Sequence, residues 1–185
     1  MRIVGGSHKG LALAAPKSQA IRPTSDRTRE ALFNILAHGI ADFDLEGGRV
    51  LDLFAGTGAL GLEALSRGAA YALFIEEAAS ARALIRQNVE AMGATGTSKI
   101  WRRDALKLGK PQGMAPFDLV FADPPYGKGL GEKALNSAFE NGWLSPSALC
   151  VLEESAKAEV NLPVSFTELD RRTYGDTQVV FLRCI

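Results

Sequence analysis

Short apolar segments alternate with helical segments along this chain from residue 50 onward, and this alternation restricts the fold more than any other feature. It is typical of a mostly parallel sheet covered by helices. The predicted strands are residues 49–54, 72–75, 99–103, 117–122 and 148–153. The predicted helices are residues 59–67, 78–92 and 130–141. In the second of these, the residues spaced for the inward face are Ala83, Leu84, Gln87 and Ala91.

Both ends of the chain depart from this alternation. Residues 165–172 and 177–183 are extended runs joined by a short turn, which predicts an antiparallel hairpin that closes the sheet. Residues 2–4 and 11–14 flank a glycine-rich stretch and predict a small two-stranded element. Residues 25–38 predict a helix with Leu32, Ile35 and Leu36 facing inward. We therefore expect an α/β domain over residues 25–185, with a seven-stranded sheet, and a β-hairpin arm over residues 1–24.

Charge and cysteine content exclude several classes of protein. The chain has 21 basic and 21 acidic residues, so overall charge gives no argument for binding nucleic acid or membrane. Residues 1–30 hold six basic side chains and two acidic ones, which indicates either a segment that binds a polyanion or a solvated arm. Cys150 and Cys184 lie in apolar runs, so we expect buried thiols and no disulfide. Without a signal peptide pattern or an apolar run of roughly 18 residues, the expected location is cytoplasmic.

A glycine-rich turn follows the first predicted strand. Gly56, Gly58 and Gly61 lie between that strand and the next helix. Such a turn lets the backbone approach a ligand and directs helix N-terminal amides at it. Glu76 ends the second strand, where an acid can accept both hydroxyl groups of a ribose. The turn and this acid predict a nucleotide-type ligand at the carboxyl edge of the sheet.

The turn alone does not distinguish a dinucleotide from S-adenosylmethionine. Asp52 precedes it, where a carboxylate would repel a pyrophosphate but attract the ammonium group of S-adenosylmethionine. Asp104 ends the third strand, where it can accept a hydrogen bond from an adenine amine, with Ala105 supplying a backbone amide. Alternatively, Asp104 caps the residues that follow it. We favour S-adenosylmethionine as the cofactor.

A second motif, Asp123-Pro124-Pro125-Tyr126, follows the fourth strand at the same edge. Its two prolines fix the backbone and remove two amide donors, which leaves carbonyl acceptors. Hydrogen bonds to Asp123 and the Pro124 carbonyl would hold an exocyclic amine and favour the geometry that frees its lone pair, while Tyr126 stacks on the base. The motif predicts methyl transfer to an amine with Asp123 as a candidate proton acceptor, and a merely rigid loop is the alternative.

These motifs resemble those of class I S-adenosylmethionine-dependent methyltransferases that act on exocyclic amines. Residues 2–10, 22–36 and 52–67 are similar to the bacterial 16S ribosomal RNA guanine-N2 methyltransferase family. The resemblance covers most of the chain. It implies a Rossmann-like methyltransferase fold and an activity on one guanine of small-subunit ribosomal RNA.

The resemblance also implies roles for particular residues. The cofactor-binding set is Thr24, Asp52, Phe54, Ala55, Gly56, Thr57, Gly58, Glu76, Asp104, Ala105 and Asp123. The catalytic set is Asp123, Pro124, Pro125 and Tyr126. The candidate RNA contacts are His8, Lys9, Arg22, Arg27 and Arg29. Arg27 and Arg29 lie about 200° apart around a helix, so both cannot face one ligand, and Arg22 is the first candidate.

Other functions remain open at this point. The second motif also permits transfer to adenine N6 or cytosine N4 of DNA, or to a protein glutamine, but the chain has little room for a DNA-recognition domain. The glycine turn permits a nicotinamide-dependent oxidoreductase, and an inactive RNA-binding module would retain the fold. We expect a monomer that binds 16S ribosomal RNA or an assembling small ribosomal subunit. No histidine or cysteine spacing suggests a metal, and no membrane partner is expected.

Overall fold

The computed structural model describes residues 1–17 and 24–185, and these residues form a seven-stranded sheet with four helices. The strands are β1 (Arg49–Leu53), β2 (Tyr71–Ile75), β3 (Ser98–Trp101), β4 (Phe117–Ala122), β5 (Leu144–Ser155), β6 (Phe166–Tyr174) and β7 (Thr177–Cys184). Their order across the sheet is β3-β2-β1-β4-β5-β7-β6. β7 pairs antiparallel with β5 and β6, and the other pairings are parallel. The predicted fold class is therefore confirmed.

The helices cover both faces of the sheet. They are α1 (Asp26–His38), α2 (Ala59–Ser66), α3 (Ala79–Met92) and α4 (Leu130–Glu140). α1, α2, α3 and the N-terminal arm bury one face, and α4 with the β3–β4 connection buries the other. Because central parallel strands are covered on both sides, β1 supplies Val50 to one apolar cluster and Leu51 to the other. Within the described residues, none of the helices has the length and apolar character needed to cross a membrane.

The sheet topology places several loops at one edge. β1 to β4 are parallel, so their carboxyl ends lie side by side, with Leu53 paired to both Ile75 and Ala122. The chain order reverses between β1 and β4. In open α/β sheets, a reversal of this kind creates a crevice at the carboxyl edge in which ligands bind.

The structure corrects the predicted inward faces of two helices. In α3 the buried residues are Ala81, Ile85, Asn88, Val89 and Met92. The predicted positions Ala83, Gln87 and Ala91 are exposed. The larger apolar side chains Ile85 and Val89 lose more contact with water on packing than alanines do, so they set the face. In α1, Phe33 is fully buried while Ile35 is only half-buried.

The N-terminal arm contains less β structure than predicted. Its two segments are joined by a single β-bridge between Arg2 and Ala12, with neighbouring backbone hydrogen bonds. A short 3-10 turn, Gly6–His8, forms its tip. Ile3 and Leu13 are buried in the same apolar cluster as α1 and α2, which attaches the arm to the body of the protein. The division of the chain at residue 24 stays a prediction.

β5 begins before its predicted start. Leu144 already pairs with Phe117, and the register with β4 then shifts before Leu149. Ser147 has a φ of 60° in this irregular stretch. The Ser145 hydroxyl donates to the Phe117 carbonyl and to Asp118, which holds this first part of the strand against β4.

Candidate active site

A cavity of about 740 Å³ opens at the carboxyl edge, where β1, β2, β3 and β4 end. Its volume lies within the range of roughly 300–1,000 Å³ that is usual for small-molecule sites. The predicted residues that line it are Thr24, Asp52, Phe54, Ala55, Gly56, Thr57, Glu76, Asp104, Asp123, Pro124, Pro125 and Tyr126. The glycine turn after β1 and the Asp-Pro-Pro-Tyr loop after β4 therefore share one cavity.

Two residues of the predicted cofactor set, Gly58 and Ala105, do not line this cavity. Gly58 is the N-cap of α2, and its φ of 78° turns the chain into that helix. Ala105 is buried in an apolar cluster, and Leu106 faces the cavity instead. The roles of these two residues in holding a cofactor, through the Ala105 backbone amide and the turn at Gly58, stay predictions.

Several lining residues were missed by the sequence analysis. They are Ala59, Leu60, Glu77, Ala78, Ala81, Leu106 and Leu130. Most are apolar and lie at the starts of α2, α3 and α4, so their chemistry gave no signal. Their position immediately after the carboxyl ends of the strands was the only signal that would have found them.

Glu76 fixes the glycine turn to the next strand. Its carboxylate accepts the Gly56 N–H at 2.9 Å and the Ala78 N–H at 3.0 Å. Phe54 and Gly56 both have left-handed backbones, with φ values of 55° and 58°. This conformation costs energy for phenylalanine, and such strain is concentrated at functional sites. The turn is thus a fixed structure at the mouth of the cavity.

Asp52 lies buried at the end of β1. Its Oδ2 atom accepts the Gly61 N–H of α2 at 3.1 Å. Burial raises the pKa of Asp52 well above its usual range, and the Glu76 carboxylate acts in the same direction. A Cβ atom at Gly61 would lie 2.5 Å from the Phe74 ring, so only glycine lets α2 approach the sheet this closely.

The cavity is strongly acidic. The carboxyl side chains that line it are Asp52, Glu76, Glu77, Asp104 and Asp123. Among the described residues, no lysine, arginine or histidine lines it. Carboxylates that line a cavity attract a cationic ligand and repel a pyrophosphate. This charge distribution disfavours a dinucleotide.

The position of Asp104 is compatible with both predicted roles, as a contact to the adenine amine and as a cap of the residues that follow it. It lines the cavity at the end of β3. Its Oδ1 atom also accepts the Leu106 N–H at 2.9 Å, which is the capping role that the sequence left as the alternative. The cap holds the Asp104 side chain in place beside the cavity.

A buried glutamate that the sequence analysis missed, Glu153 on β5, holds the Asp-Pro-Pro-Tyr loop, which we call the acceptor loop after its predicted role. One of its oxygens accepts the Thr24 hydroxyl and the other accepts the Tyr126 hydroxyl, each at 2.9 Å. The Thr24 hydroxyl also lies 3.4 Å from Oδ2 of Asp123, so it stands between two carboxyl groups. An acidic residue after the apolar run of β5 was the signal that would have found Glu153.

The two carboxyl groups alter each other's ionisation. Burial raises the pKa of Asp123 well above its usual range, and the nearby Glu153 carboxylate raises it further. Burial also raises the pKa of Glu153, while hydrogen bonds from Tyr126 and Thr24 oppose this effect. Two such groups titrate as a pair. A carboxyl with a raised pKa is, in its ionised form, a stronger base than an ordinary aspartate.

The Tyr126 side chain is anchored at its hydroxyl end. Besides the bond to Glu153, its oxygen lies 3.1 Å from the Thr177 hydroxyl on β7. Burial and the Glu153 carboxylate raise the pKa of Tyr126, which keeps its hydroxyl protonated. Pro124 is buried and Pro125 is exposed, and both line the cavity. Stacking of the Tyr126 ring on a base stays a prediction.

Arg29 is a structural residue, which corrects its assignment as an RNA contact. Its side chain is fully buried, with Nε donating to Glu63 at 3.2 Å and a terminal nitrogen donating to Asp26 at 2.8 Å. It also donates to the Thr24 carbonyl at 3.1 Å. The apolar core and these acceptors enclose it because it lies on the inner side of α1. Arg27, on the other side of α1, is exposed.

The remaining candidate RNA contacts lie at the arm or outside the described residues. His8 and Lys9 are exposed at the arm tip, where the His8 N–H donates to the Ser66 hydroxyl at 3.0 Å. Ser66 ends α2, a helix about 12 Å long whose first residues reach the cavity, so the tip lies well away from the cavity. Arg22 falls outside the described residues. In the chain as described, no group of three or more histidine, cysteine or acidic side chains is placed to hold a metal ion.

Known proteins resemble this chain over nearly its whole length. The sequence profile of the family described as Conserved hypothetical protein 95 matches residues 1–183. Ribosomal RNA small subunit methyltransferase D of Escherichia coli K12 is 41% identical over 163 residues, which cover 88% of this chain and 78% of that protein. The protein of the same name from Haemophilus influenzae Rd is 34% identical over 177 residues, covering 95% of this chain and 89% of that protein. A solved Escherichia coli structure, described provisionally as the methyltransferase yhhF, has a TM-score of 0.84 at 32% identity and covers 100% of this chain and 97% of that one.

Proposed function

This chain belongs to the Conserved hypothetical protein 95 family, and from that premise we propose that it methylates the N2 amine of a guanine in 16S ribosomal RNA. The resemblance to ribosomal RNA methyltransferases that the sequence indicates is confirmed, because two curated relatives of that description exceed 30% identity over most of the chain. S-adenosylmethionine is the methyl donor. That the acceptor is a guanine, and that the methyl group goes to its N2 atom, is what we propose beyond the family resemblance.

The observation that carries the proposal is the meeting of two loops in one cavity. One loop is the glycine turn with its acidic partners, and the other is the Asp-Pro-Pro-Tyr segment. A methyl donor and a planar amine must come within bonding distance for in-line transfer, and a shared cavity provides this proximity. If the loops faced apart, neither would support the reaction.

The residues of the cavity fit S-adenosylmethionine. When bound, this cofactor supplies a methyl group on a positively charged sulfur atom. Asp52 would hold the ammonium group, Glu76 the ribose hydroxyls and Asp104 the adenine amine. The acidic lining would attract S-adenosylmethionine, which has a net positive charge, and would repel the negatively charged pyrophosphate of a dinucleotide.

The acceptor loop would position the target amine. The Asp123 carboxylate and the Pro124 carbonyl would accept its two N–H groups. Held in this way, the nitrogen would face the methyl group that the bound cofactor supplies, and Asp123 would accept the proton that the nitrogen releases on transfer. The raised pKa of Asp123 favours this final transfer.

The depth of the acceptor loop suggests how the RNA presents its base. Asp123 and Pro124 lie at the end of a buried central strand, which a base within a helical stack would not reach. We propose that the target guanine is extruded from its stack before transfer. The RNA would be free 16S RNA or part of an assembling small subunit in the cytoplasm, and the enzyme would act as a monomer.

Mass spectrometry of nucleosides tests this proposal. Unmodified 16S RNA is incubated with the protein and isotopically labelled S-adenosylmethionine, and the RNA is digested to nucleosides. We expect the label in N2-methylguanosine. Label in methylated adenine or cytosine would keep the methyl transfer but contradict the acceptor, and the absence of label with both free RNA and small subunits would contradict the activity.

A further inference from the structure

A second basic region, which the N-terminal charge count did not include, lies on and after the edge strand β3. Between residues 99 and 110 the chain has five basic residues and one acidic residue. The basic residues of this region, which we name the basic edge, are Lys99, Arg102, Arg103, Lys107 and Lys110. All are exposed except Arg103, which is half-buried. Since the whole chain is neutral, this is a marked local excess of positive charge.

Two of these cations are held in place by an aromatic ring. The Lys99 ammonium lies 5.2 Å from the centroid of the Trp101 ring, and the Arg103 guanidinium lies 4.5 Å from it. Arg103 also donates to the Leu108 carbonyl at 2.6 Å. Trp101 in turn packs edge-on against the buried Trp143. Through Trp101, the Lys99 and Arg103 charges are thus attached to the core.

The charges of the basic edge are not neutralised by neighbours. Across residues 1–17 and 24–185, none of its five side chains forms an ion pair. The single acid of the region, Asp104, is directed to the Leu106 N–H and the cavity. The basic edge therefore keeps its positive charge available to an outside partner.

The basic edge begins at the rim of the active-site cavity. The Trp101 carbonyl at the end of β3 accepts the N–H of Glu76, and Asp104 and Leu106 line the cavity itself. β3 is three strand positions from β4, which carries the acceptor loop, a separation of about 14 Å. A stacked nucleic acid strand covers this distance in about four nucleotides.

We infer that the basic edge is a docking surface for the phosphate backbone of the RNA substrate, a few nucleotides from the base that enters the cavity. This inference rests on the proposed function and adds to it a surface on the side of the sheet edge, separate from the N-terminal arm. These cations are exposed and unpaired beside the cavity, so their charge is complementary to the RNA phosphates. Binding the phosphates there would hold the RNA in place while one base enters the cavity. Contacts of this kind position the RNA without reading its sequence.

The test compares two variants of equal charge change. Arg102→Gln/Lys107→Gln removes two exposed cations on either side of Asp104 and Leu106, which line the cavity. Lys157→Gln/Arg172→Gln removes two exposed cations near the opposite end of the sheet. Binding of each protein to unmodified 16S RNA is measured from 50 to 300 mM salt, together with methyl transfer kinetics and S-adenosylmethionine affinity.

We expect the basic-edge variant to bind RNA roughly five- to tenfold more weakly, with a salt-dependence slope smaller by about 1.4 to 1.8, because each lost phosphate contact removes about 0.7 to 0.9. Its KM for RNA should rise while kcat and cofactor affinity stay unchanged, and the control variant should behave like the wild type.

Equal losses in both variants, or none in either, would overturn the inference. Unchanged binding to RNA with weaker methylation of assembled subunits would also overturn it and indicate a ribosomal protein as the partner. If wild-type protein bound RNA without methylating it, the proposed function would fail, yet the salt slopes would still decide whether the basic edge docks RNA.

Discussion

Glu153, which the sequence analysis did not select, connects three parts of the candidate site. Its two oxygens hold the hydroxyl groups of Thr24 and Tyr126, and its charge acts on Asp123. A carboxylate with 6% exposure is costly unless such partners compensate it. We therefore interpret Glu153 as a positioning residue that sets both the shape and the proton affinity of the acceptor loop.

Replacing Glu153 by glutamine tests this interpretation through pH dependence. The Glu153 carboxylate raises the pKa of Asp123, so its neutral replacement should lower that pKa. If Asp123 must be ionised to act, the acidic limb of the kcat profile moves to lower pH. Loss of a charged acceptor for two hydroxyls should also lower the maximal kcat by about tenfold, or roughly 1.4 kcal/mol.

The measurement is kcat between pH 5 and pH 9 for the wild type, Glu153→Gln and Glu159→Gln. Glu159 is exposed a few residues beyond β5, so its variant controls for the loss of one carboxylate. An acidic limb that stays in place or moves to higher pH would contradict the role assigned to Glu153.

At the level of secondary-structure elements, a buried ion pair joins α1, α2 and the N-terminal arm. The Glu63 carboxylate of α2 accepts hydrogen bonds from the Nε–H groups of Arg29 and Arg67 and from the backbone N–H groups of Val4 and Gly5. Arg29 and Glu63 are both completely buried. Removing one partner leaves the other charge buried without compensation, which is far more costly than losing an exposed pair.

We expect Arg29→Ala to lower the free energy of unfolding by about 3–5 kcal/mol. Arg27→Ala, on the exposed side of α1, should change it by less than about 0.5 kcal/mol. Urea unfolding of the two variants checks this prediction. Equal stabilities would show that the Arg29–Glu63 pair does not hold these elements together.

Some elements were predictable from the sequence because their signals are local. The strand–glycine turn–helix order identifies β1 and α2, and the apolar run before Asp123 identifies β4. The inward face of α3 and the early start of β5 depend on what packs against them, which local periodicity does not contain.

At the scale of the whole molecule, the topology explains why the site was largely predictable. Parallel strands bring their carboxyl ends to one edge, so motifs that follow β1 and β4 must meet there. Glu153 and the buried position of Arg29 were not predictable in the same way. Each depends on contacts between residues far apart in sequence, such as Thr24 with Glu153 and Arg29 with Glu63.

Ligand-induced stabilisation of the whole chain distinguishes the two cofactor classes. A ligand that binds only the folded state at a concentration 100-fold above its Kd adds about 2.7 kcal/mol of stability. For a chain of 185 residues this corresponds to an increase in Tm of about 5–10 °C. Because the cavity is acidic, we expect this increase with S-adenosylmethionine and none with NAD in thermal unfolding scans. The opposite result would favour an oxidoreductase.

The central claim is that the glycine turn holds the methyl donor and the Asp-Pro-Pro-Tyr loop holds the target amine in one cavity. The variant Asp123→Ala separates cofactor binding from methyl transfer. Calorimetric titration with S-adenosylmethionine and incorporation of labelled methyl into 16S RNA are measured on the same preparation of this variant. We predict cofactor affinity within a few-fold of the wild type and methyl incorporation reduced to background. Methyl incorporation at the wild-type rate would contradict the account.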